Sequence, residues 1–178
     1  NKIKVVFPGD VRNNMCYAWM MGAAKLGMHF VAMGPEELAK QMDKDVVNST
    51  FAEARENGGL IEITDNKADL KGADVIYGDV WASMGEEAQI PERVRLLSPF
   101  RVTEETLKAT ENPDVLYLHC LPSFHDFETK MAKEWHDKGV DIREVTDEVF
   151  RSRHSAVFDE AENRMHSIKA IMVATIGK

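Results

Sequence analysis

Short runs of apolar and β-branched residues alternate along this chain with segments of helical spacing. Strand-like runs occupy residues 3–7, 29–33, 60–64, 75–77 and 115–118, with a short further run at 140–145. Parallel strands need crossover connections, which are usually helices, so this alternation is typical of a parallel sheet. The pattern predicts an α/β fold: one doubly wound parallel sheet of about five strands, with helices on both faces.

The segments between the strand-like runs carry apolar residues three or four positions apart, as one face of a helix requires. In the first of them these residues are Met15, Ala18, Trp19, Gly22, Ala23 and Leu26, and Gly27 follows as a C-terminal stop. Further helices are predicted at 35–39, at 46–57 and from the capping Thr103 onward. A last helix, beyond Asp159, has an apolar stripe formed by Ala161, Met165, Ile168 and Met172.

Composition limits the functions that this fold could serve. With 178 residues, of which 44% are hydrophobic and 29% charged, the chain has the makeup of one globular domain. No apolar run approaches the roughly 18 to 20 residues that cross a bilayer, so no membrane partner is expected. The net charge of −8 and the pI near 5.3 argue against a nucleic-acid partner, which usually requires a basic face.

The two cysteines, Cys16 and Cys120, favour a reducing compartment, and a cytoplasmic location is expected. They form no C-x-x-C pair and are too few for a thiolate zinc cluster, so neither a metal nor a cofactor is expected. The chain shows no signal peptide and no initial Met, and it enters a strand-like run within two residues. This abrupt start suggests a piece of a longer polypeptide.

Polar residues that follow the predicted strands are the candidates for chemistry, because open parallel sheets bind ligands at the carboxyl ends of their strands. The first group is residues 9–14, where Asn13 and Asn14 precede a helix. The free N–H groups of that helix would attract an anion such as a carboxylate. The alternative is that one asparagine only caps the helix.

The second group, residues 79–85, offers a carboxylate, a hydroxyl and a glycine in Asp79, Ser83 and Gly85, with Met84 between the last two. Asp79 at a strand end could pair with a substrate ammonium. Gly85 could let the loop close over a bound ligand. The alternative is an aspartate that caps a turn and a methionine that fills the core.

The third group is His119, Cys120, Leu121 and Pro122, directly after a predicted strand. The thiol could instead be an inert core residue, and the imidazole a structural one. A cis bond between Leu121 and Pro122 would fix the Leu121 carbonyl in a geometry that trans proline cannot provide. Cys16, which lies within a helical segment, is interpreted as packing.

The fourth group lies at the start of the terminal helix, where Arg164 borders the apolar stripe. Its guanidinium could donate several hydrogen bonds to a carbonyl or a phosphate. A salt bridge to Glu160 or to a neighbouring acid is the alternative. No single group decides between function and structure, but together they suggest an active site for a small cationic substrate.

In order and in residue identity, these four motifs resemble the C-terminal, L-ornithine-binding half of the ornithine carbamoyltransferases. The matching motifs are Gly-Asp-x-x-Asn-Asn at 9–14, Asp-x-Trp-x-Ser-Met-Gly at 79–85, His-Cys-Leu-Pro at 119–122 and Phe-x-Glu-Ala-Glu-Asn-Arg at 158–164. The Ser-Met-Gly loop and the cysteine separate this family from the related aspartate carbamoyltransferases. Residues 124–130 and 145–150 look like bacterial, especially catabolic, members. The resemblance covers residues 5–176 and implies a Rossmann-like fold.

The resemblance also implies the roles of the residues. Asn14, Asp79, Ser83 and Met84 would bind the α-amino and α-carboxylate groups of L-ornithine, and Cys120 with Asp79 would face its δ-amino group. That amine attacks carbamoyl phosphate in the family reaction, which gives citrulline and phosphate. The carbamoyl group would be held by Cys120, the Leu121 carbonyl and Arg164.

By the same resemblance, residues 1–178 are the ornithine-binding domain, and the N-terminal carbamoyl phosphate-binding domain is absent from this chain. That half also builds the family's homotrimer, from which larger assemblies form. The chain alone is therefore expected to be inactive, and some apolar surface of its terminal helix is expected to meet the missing half.

Two other functions fit the architecture. The first is a carbamoyltransferase for putrescine or for an acylated ornithine, which residues 79–85 argue against. The second is a non-catalytic module that binds an amino acid or a dinucleotide. The absence of a G-x-G-x-x-G motif disfavours the dinucleotide.

Overall fold

A computed structural model describes residues 2–82 and 85–177 of the chain. Within these ranges the strands are β1 (Lys4–Pro8), β2 (His29–Met33), β3 (Leu60–Thr64), β4 (Val75–Gly78) and β5 (Leu116–His119). The α-helices are α1 (Asn14–Lys25), α2 (Glu36–Ala39), α3 (Lys44–Glu56), α4 (Ile90–Leu97), α5 (Glu104–Ala109), α6 (Lys130–Asp137), α7 (Asp147–Phe150) and α8 (Val157–Ile176). Short 3-10 helices occupy Lys67–Leu70, Glu87–Gln89 and Ser98–Phe100.

The five strands form one parallel sheet in the order β3-β2-β1-β4-β5. The chain builds the sheet outward from β1 to β3 and then returns to place β4 on the other side of β1. The predicted α/β class is therefore confirmed. The reversal of strand order lies between β1 and β4, which is where open α/β sheets leave a crevice for ligands at the carboxyl ends of their strands.

Apolar residues cover the sheet on both faces, as expected for parallel strands. Alternate residues of β1 point to opposite sides, so that Val5 and Phe7 pack in one layer with α1 while Val6 packs in the other. Cys16 of α1 is fully buried in the first layer, which confirms its interpretation as packing. The second layer joins Val6 to residues of β4, β5 and α7.

Local capping explains where several helices begin. The Asn13 side chain accepts a hydrogen bond from the Met15 amide at 2.8 Å, so one asparagine of the 9–14 group does cap α1. The Asp43 side chain caps α3, which therefore starts two residues before the predicted position 46. Thr103 and Thr106 form a reciprocal capping box at the start of α5.

The predicted strand at 140–145 is wrong. Only Val145 pairs there, in an isolated parallel bridge with Val102. The Arg101 side chain donates to the carbonyls of Arg143 and Asp141, at 2.6 and 3.1 Å. Because a guanidinium satisfies backbone acceptors that a neighbouring strand would otherwise serve, this strand-like segment forms a loop instead of a sixth strand.

The terminal helix α8 packs on the body of the domain only through its first turn. Val157 is 1% exposed, whereas the residues from Ala161 to the end of the helix are all exposed. The predicted stripe of Met165, Ile168 and Met172 therefore faces away from the core. None of the helices in the described ranges is both long and apolar enough to span a membrane.

Gly78, the last residue of β4, has no room for a side chain. An added Cβ would lie 2.5 Å from the Tyr117 hydroxyl and 2.9 Å from Cδ2 of His119, and both of these side chains are almost completely buried. We expect Gly78→Ala to lower the free energy of unfolding by about 1–3 kcal/mol through overpacking. Urea denaturation of the chain would measure the change.

Gly22→Ala is the matched control, because a Cβ added at that helical position would meet no atom within 4 Å beyond its chain neighbours and the backbone of its own helix. We expect it to be neutral or to stabilise the chain by about 0.5–1 kcal/mol, since alanine favours helix. Equal effects of the two substitutions would contradict the steric explanation.

Candidate active site

Strand register brings the second and third candidate groups together. Gly78 at the end of β4 pairs with His119 at the end of β5, so the next residue of each strand leaves the sheet at the same level. Those residues are Asp79 and Cys120. The Cys120 thiol donates to Asp79 Oδ1 at 3.0 Å, across 41 positions of sequence. The carboxylate also accepts from the Val80 amide at 2.7 Å and is only 8% exposed.

The thiol of Cys120 is held in its protonated form. Burial raises its pKa, and both the hydrogen bond to Asp79 and the negative charge of that carboxylate raise the pKa further. A thiol in this environment is neutral at physiological pH and acts as a hydrogen-bond donor. The site thus joins a carboxylate to a neutral donor, an arrangement that suits a cationic or amine-bearing ligand.

The His119 side chain is buried behind the thiol and organises the turn after β5. Its Nδ1 accepts from the Leu121 amide at 2.9 Å, so the proton of the neutral ring lies on Nε2. Nε2 is 3.2 Å from Oε1 of Glu144, although the contact lacks hydrogen-bond geometry. His119 is therefore a structural residue of the site, the alternative given by the sequence.

Glu144 is a site residue that the sequence analysis missed. It is 3% exposed, and its Oε1 accepts from the Ser123 hydroxyl at 2.6 Å and from the Phe124 amide at 2.7 Å. It thereby fixes the end of the turn that carries Cys120. The available signal was the charge content of the predicted strand at 140–145, where three of six residues are charged and a buried strand would have to desolvate them.

The turn after β5 contains the other feature that the sequence singled out. The Leu121-Pro122 peptide bond is cis, and Leu121 has a φ of 51°. Within the described ranges no hydrogen-bond donor reaches the Leu121 carbonyl. That oxygen is consequently available as an acceptor for a ligand group.

The cleft beside the thiol has a volume of about 530 Å³ and includes the fourth candidate group. Its walls combine Met15 of α1, the ends of β4 and β5, and the first turns of α8; they include Tyr77, His119, Cys120, Glu160 and Arg164. Arg164 is exposed and forms no ion pair with any residue of the described ranges. The salt bridge to Glu160 that the sequence offered as an alternative is therefore not observed.

The remaining candidates are less closely associated with the cleft. Asn14 is the first residue of α1 and its side chain is exposed, although its neighbour Met15 lines the cleft. Ser83 and Met84 lie outside the described residues. Gly85, just beyond them, has a φ of 89°, and its amide donates to Glu87 at 3.0 Å.

An ion-pair network connects the end of β1 to the loop that follows β4. Asp10, 7% exposed at the end of β1, binds the guanidinium groups of both Arg12 and Arg93. Burial works against its ionisation, but hydrogen bonds from Arg12 and the charges of both arginines hold the pKa of Asp10 below its ordinary value. Arg93 also pairs with Glu86 at 3.0 Å, so β1 and the loop are connected.

One cluster in the described ranges has the composition of a metal site. His125, Asp126 and Asp147 place potential ligand atoms within 4.8 Å of one another. Arg151 already contacts both acids, with its Nε 2.8 Å from Asp147. The cluster is best described as an ion-pair network, because a guanidinium neutralises the carboxylates that would bind a cation.

Comparisons with known proteins identify the family of the chain. The sequence profile of the family described as aspartate/ornithine carbamoyltransferase, Asp/Orn binding domain, matches residues 1–175. An ornithine carbamoyltransferase from Clostridium perfringens is 56% identical over 181 aligned residues, which cover 100% of this chain and 54% of the relative. A catabolic ornithine carbamoyltransferase from Bacillus licheniformis is 49% identical over 98% of this chain and 52% of the relative.

The fold is also similar to that of a solved structure. The ornithine carbamoyltransferase from Pyrococcus furiosus superposes with a TM-score of 0.80 at 37% identity, over 97% of this chain and 49% of that one. The chain spans about half the length of the curated relatives it matches.

The contact between Asp79 and Cys120 predicts how the thiol reacts. Asp79→Asn removes a charge that raises the pKa of Cys120, so at a fixed, mildly alkaline pH the thiolate fraction rises and alkylation by iodoacetamide becomes faster. Peptide mass spectrometry would give the rate at each cysteine. The control is Asp65→Asn, at an exposed carboxylate after β3, and Cys16 should stay unlabelled throughout. Equal or slower labelling of Cys120 in Asp79→Asn would contradict the contact.

Proposed function

The chain belongs to the aspartate/ornithine carbamoyltransferase family, and we propose that it is the L-ornithine-binding half of an ornithine carbamoyltransferase. The parent enzyme would transfer the carbamoyl group of carbamoyl phosphate to the δ-amino group of L-ornithine, giving L-citrulline and phosphate. The observation that carries this proposal is the hydrogen bond from Cys120 to the buried Asp79 at the carboxyl ends of β5 and β4.

For ornithine we propose the residues that the family motifs indicate: Asn14, Asp79, Ser83 and Met84. Asp79 offers the buried negative charge that a diamino acid requires, and a buried charge-assisted hydrogen bond is stronger than a neutral one. Asn14 stands at the start of α1, where the helix dipole favours the α-carboxylate.

The reaction requires a neutral δ-amine, because an ammonium has no lone pair with which to attack. A free δ-amine resembles lysine, with a pKa of about 10.4, so the site must favour loss of its proton. We propose that partial desolvation in the cleft lowers this pKa, and that Asp79 accepts the proton. Cys120, held protonated, orients the amine and the carbamoyl group and is not the base.

For the carbamoyl group we propose Cys120, the Leu121 carbonyl and Arg164. Negative charge develops on the carbamoyl oxygen as the amine attacks, and a guanidinium that pairs with no acid of the described ranges can stabilise it. The free Leu121 carbonyl would accept from the carbamoyl NH₂ group. Both groups flank the thiol, so the electrophile would lie between them and the δ-amine.

The other half of the enzyme completes the proposal. Since the chain spans about half of its relatives, we propose that a carbamoyl phosphate-binding domain is supplied by the rest of the parent protein. We also propose a homotrimer, or a multiple of one, located in the cytoplasm. Two cysteines that form no disulfide with each other suit that compartment.

The activity test compares the isolated chain with the full parent protein. We expect the parent to form citrulline from ornithine and carbamoyl phosphate, and the isolated chain to show no appreciable turnover because most phosphate ligands lie elsewhere. Putrescine and acetylornithine, tested as alternative acceptors, should be poor. Turnover by the chain alone near that of the parent, or a preference for either alternative acceptor, would refute this proposal.

Within the parent, Asp79→Ala should lower kcat/KM for ornithine roughly 10- to 150-fold, the value of one hydrogen bond to a charged group. Asp65→Ala, which removes an exposed carboxylate, should leave the constant unchanged.

A further inference from the structure

The terminal helix carries Arg164 but has few contacts with the body of the domain. Its first turn is fixed by the buried Val157 and by a hydrogen bond from the Ala156 amide to the Tyr117 carbonyl at 3.0 Å. From Ala161 onward every described residue of the helix is exposed. The position of Arg164 therefore depends on contacts made before Ala161.

Glu160 makes the last of these contacts. Its Oε2 accepts from the His119 amide at 3.0 Å, and the Tyr77 hydroxyl interacts with the same carboxylate. Tyr77 belongs to β4 and His119 ends β5, so one side chain of α8 binds the ends of the two strands that carry Asp79 and Cys120. Burial raises the pKa of Glu160, while the hydrogen bonds from His119 and Tyr77 oppose that effect.

The contact between Glu160 and the His119 amide also affects the position of Arg164, because of the spacing of the two residues along α8. Arg164 follows Glu160 by four residues and lies on the same face of the helix, one turn further on. Cys120 directly follows His119 along the chain. A carboxylate that holds the His119 backbone thus fixes the guanidinium and the thiol relative to each other. Because its contacts are with His119 and Tyr77, Arg164 has no ion-pair partner among the residues that the structure describes.

We propose that Glu160 is a positioning residue for carbamoyl transfer: it holds Arg164 on α8 in register with Cys120 at the end of β5. This inference rests on the proposed function, which assigns both groups to the carbamoyl site. Glu160 acts through the His119 amide and the Tyr77 hydroxyl, and no proton or bond of the reaction passes through it.

The test uses the full parent enzyme with Glu160→Ala, Glu160→Asp and Glu160→Gln. Loss of the carboxylate in Glu160→Ala should lower kcat roughly 10- to 100-fold, as a displacement of about 1 Å does, while KM for ornithine stays within a few-fold. Glu160→Asp, whose shorter side chain withdraws the acceptor, should also lower kcat. Glu160→Gln keeps an acceptor oxygen for the His119 amide and should restore most of the activity.

The control is Glu162→Ala, which removes an exposed acid from the same turn of α8 and should leave kcat unchanged. Thermal unfolding would establish that each variant is folded; if Glu160→Ala is not, Glu160→Asp decides. Wild-type kcat in a folded Glu160→Ala or Glu160→Asp variant would overturn the proposal, as would equal losses in the glutamine and alanine variants.

A second readout separates this proposal from the proposed function. Release of the His119 backbone should expose Cys120, so iodoacetamide should label that thiol several-fold faster in Glu160→Ala than in Glu160→Gln. Both variants lose the Glu160 charge, which raises the pKa of Cys120, so the difference between them reports the contact with His119. The labelling rate does not depend on turnover. A wild-type enzyme that forms no citrulline would refute the proposed function, whereas equal labelling rates in an enzyme that forms citrulline would refute the positioning role alone.

Discussion

The pairing of Gly78 with His119 in the parallel sheet is the constraint on which the site depends. It ends two neighbouring strands at one level, so that Asp79 and Cys120 leave the sheet side by side. The pairing itself depends on the absence of a side chain at Gly78, because the Tyr117 hydroxyl and the His119 ring occupy the space beneath it. Packing against Gly78 on one face of the sheet thereby determines which side chains meet at the carboxyl ends of β4 and β5.

Three carboxylates surround the turn after β5, and each has a different role. Asp79 accepts the hydrogen bond of the Cys120 thiol and, after burial, is the main cause that raises the pKa of that thiol. Glu144 binds the far end of the turn through Ser123 and Phe124, and Glu160 binds its beginning through the His119 amide. Buried carboxylates are costly unless hydrogen-bonded, so these contacts hold the turn in one conformation. Rigid support of this kind is what a preorganised site requires.

The strand periodicity of the sequence predicts the five strands, and the position of Asp79 and Cys120 directly after two of them predicts that both belong to the site. The family resemblance is likewise confirmed by the comparisons. Prediction from the sequence was wrong or incomplete where the local structure depends on a side chain from a distant part of the chain. Hydrogen bonds from Arg101 hold the segment 140–145 as a loop, and Glu144 supports the site only through contacts about twenty residues away in sequence. Glu160 binds the His119 amide and not Arg164, a choice that helix spacing alone does not reveal.

The most direct test of the central claim is a crystal structure of the parent enzyme with L-ornithine bound. The account predicts the δ-nitrogen within hydrogen-bond distance of the Asp79 carboxylate and beside the sulfur of Cys120, with Arg164 across the cleft. Ornithine bound at another edge of the sheet, or with its δ-nitrogen directed away from both side chains, would contradict it.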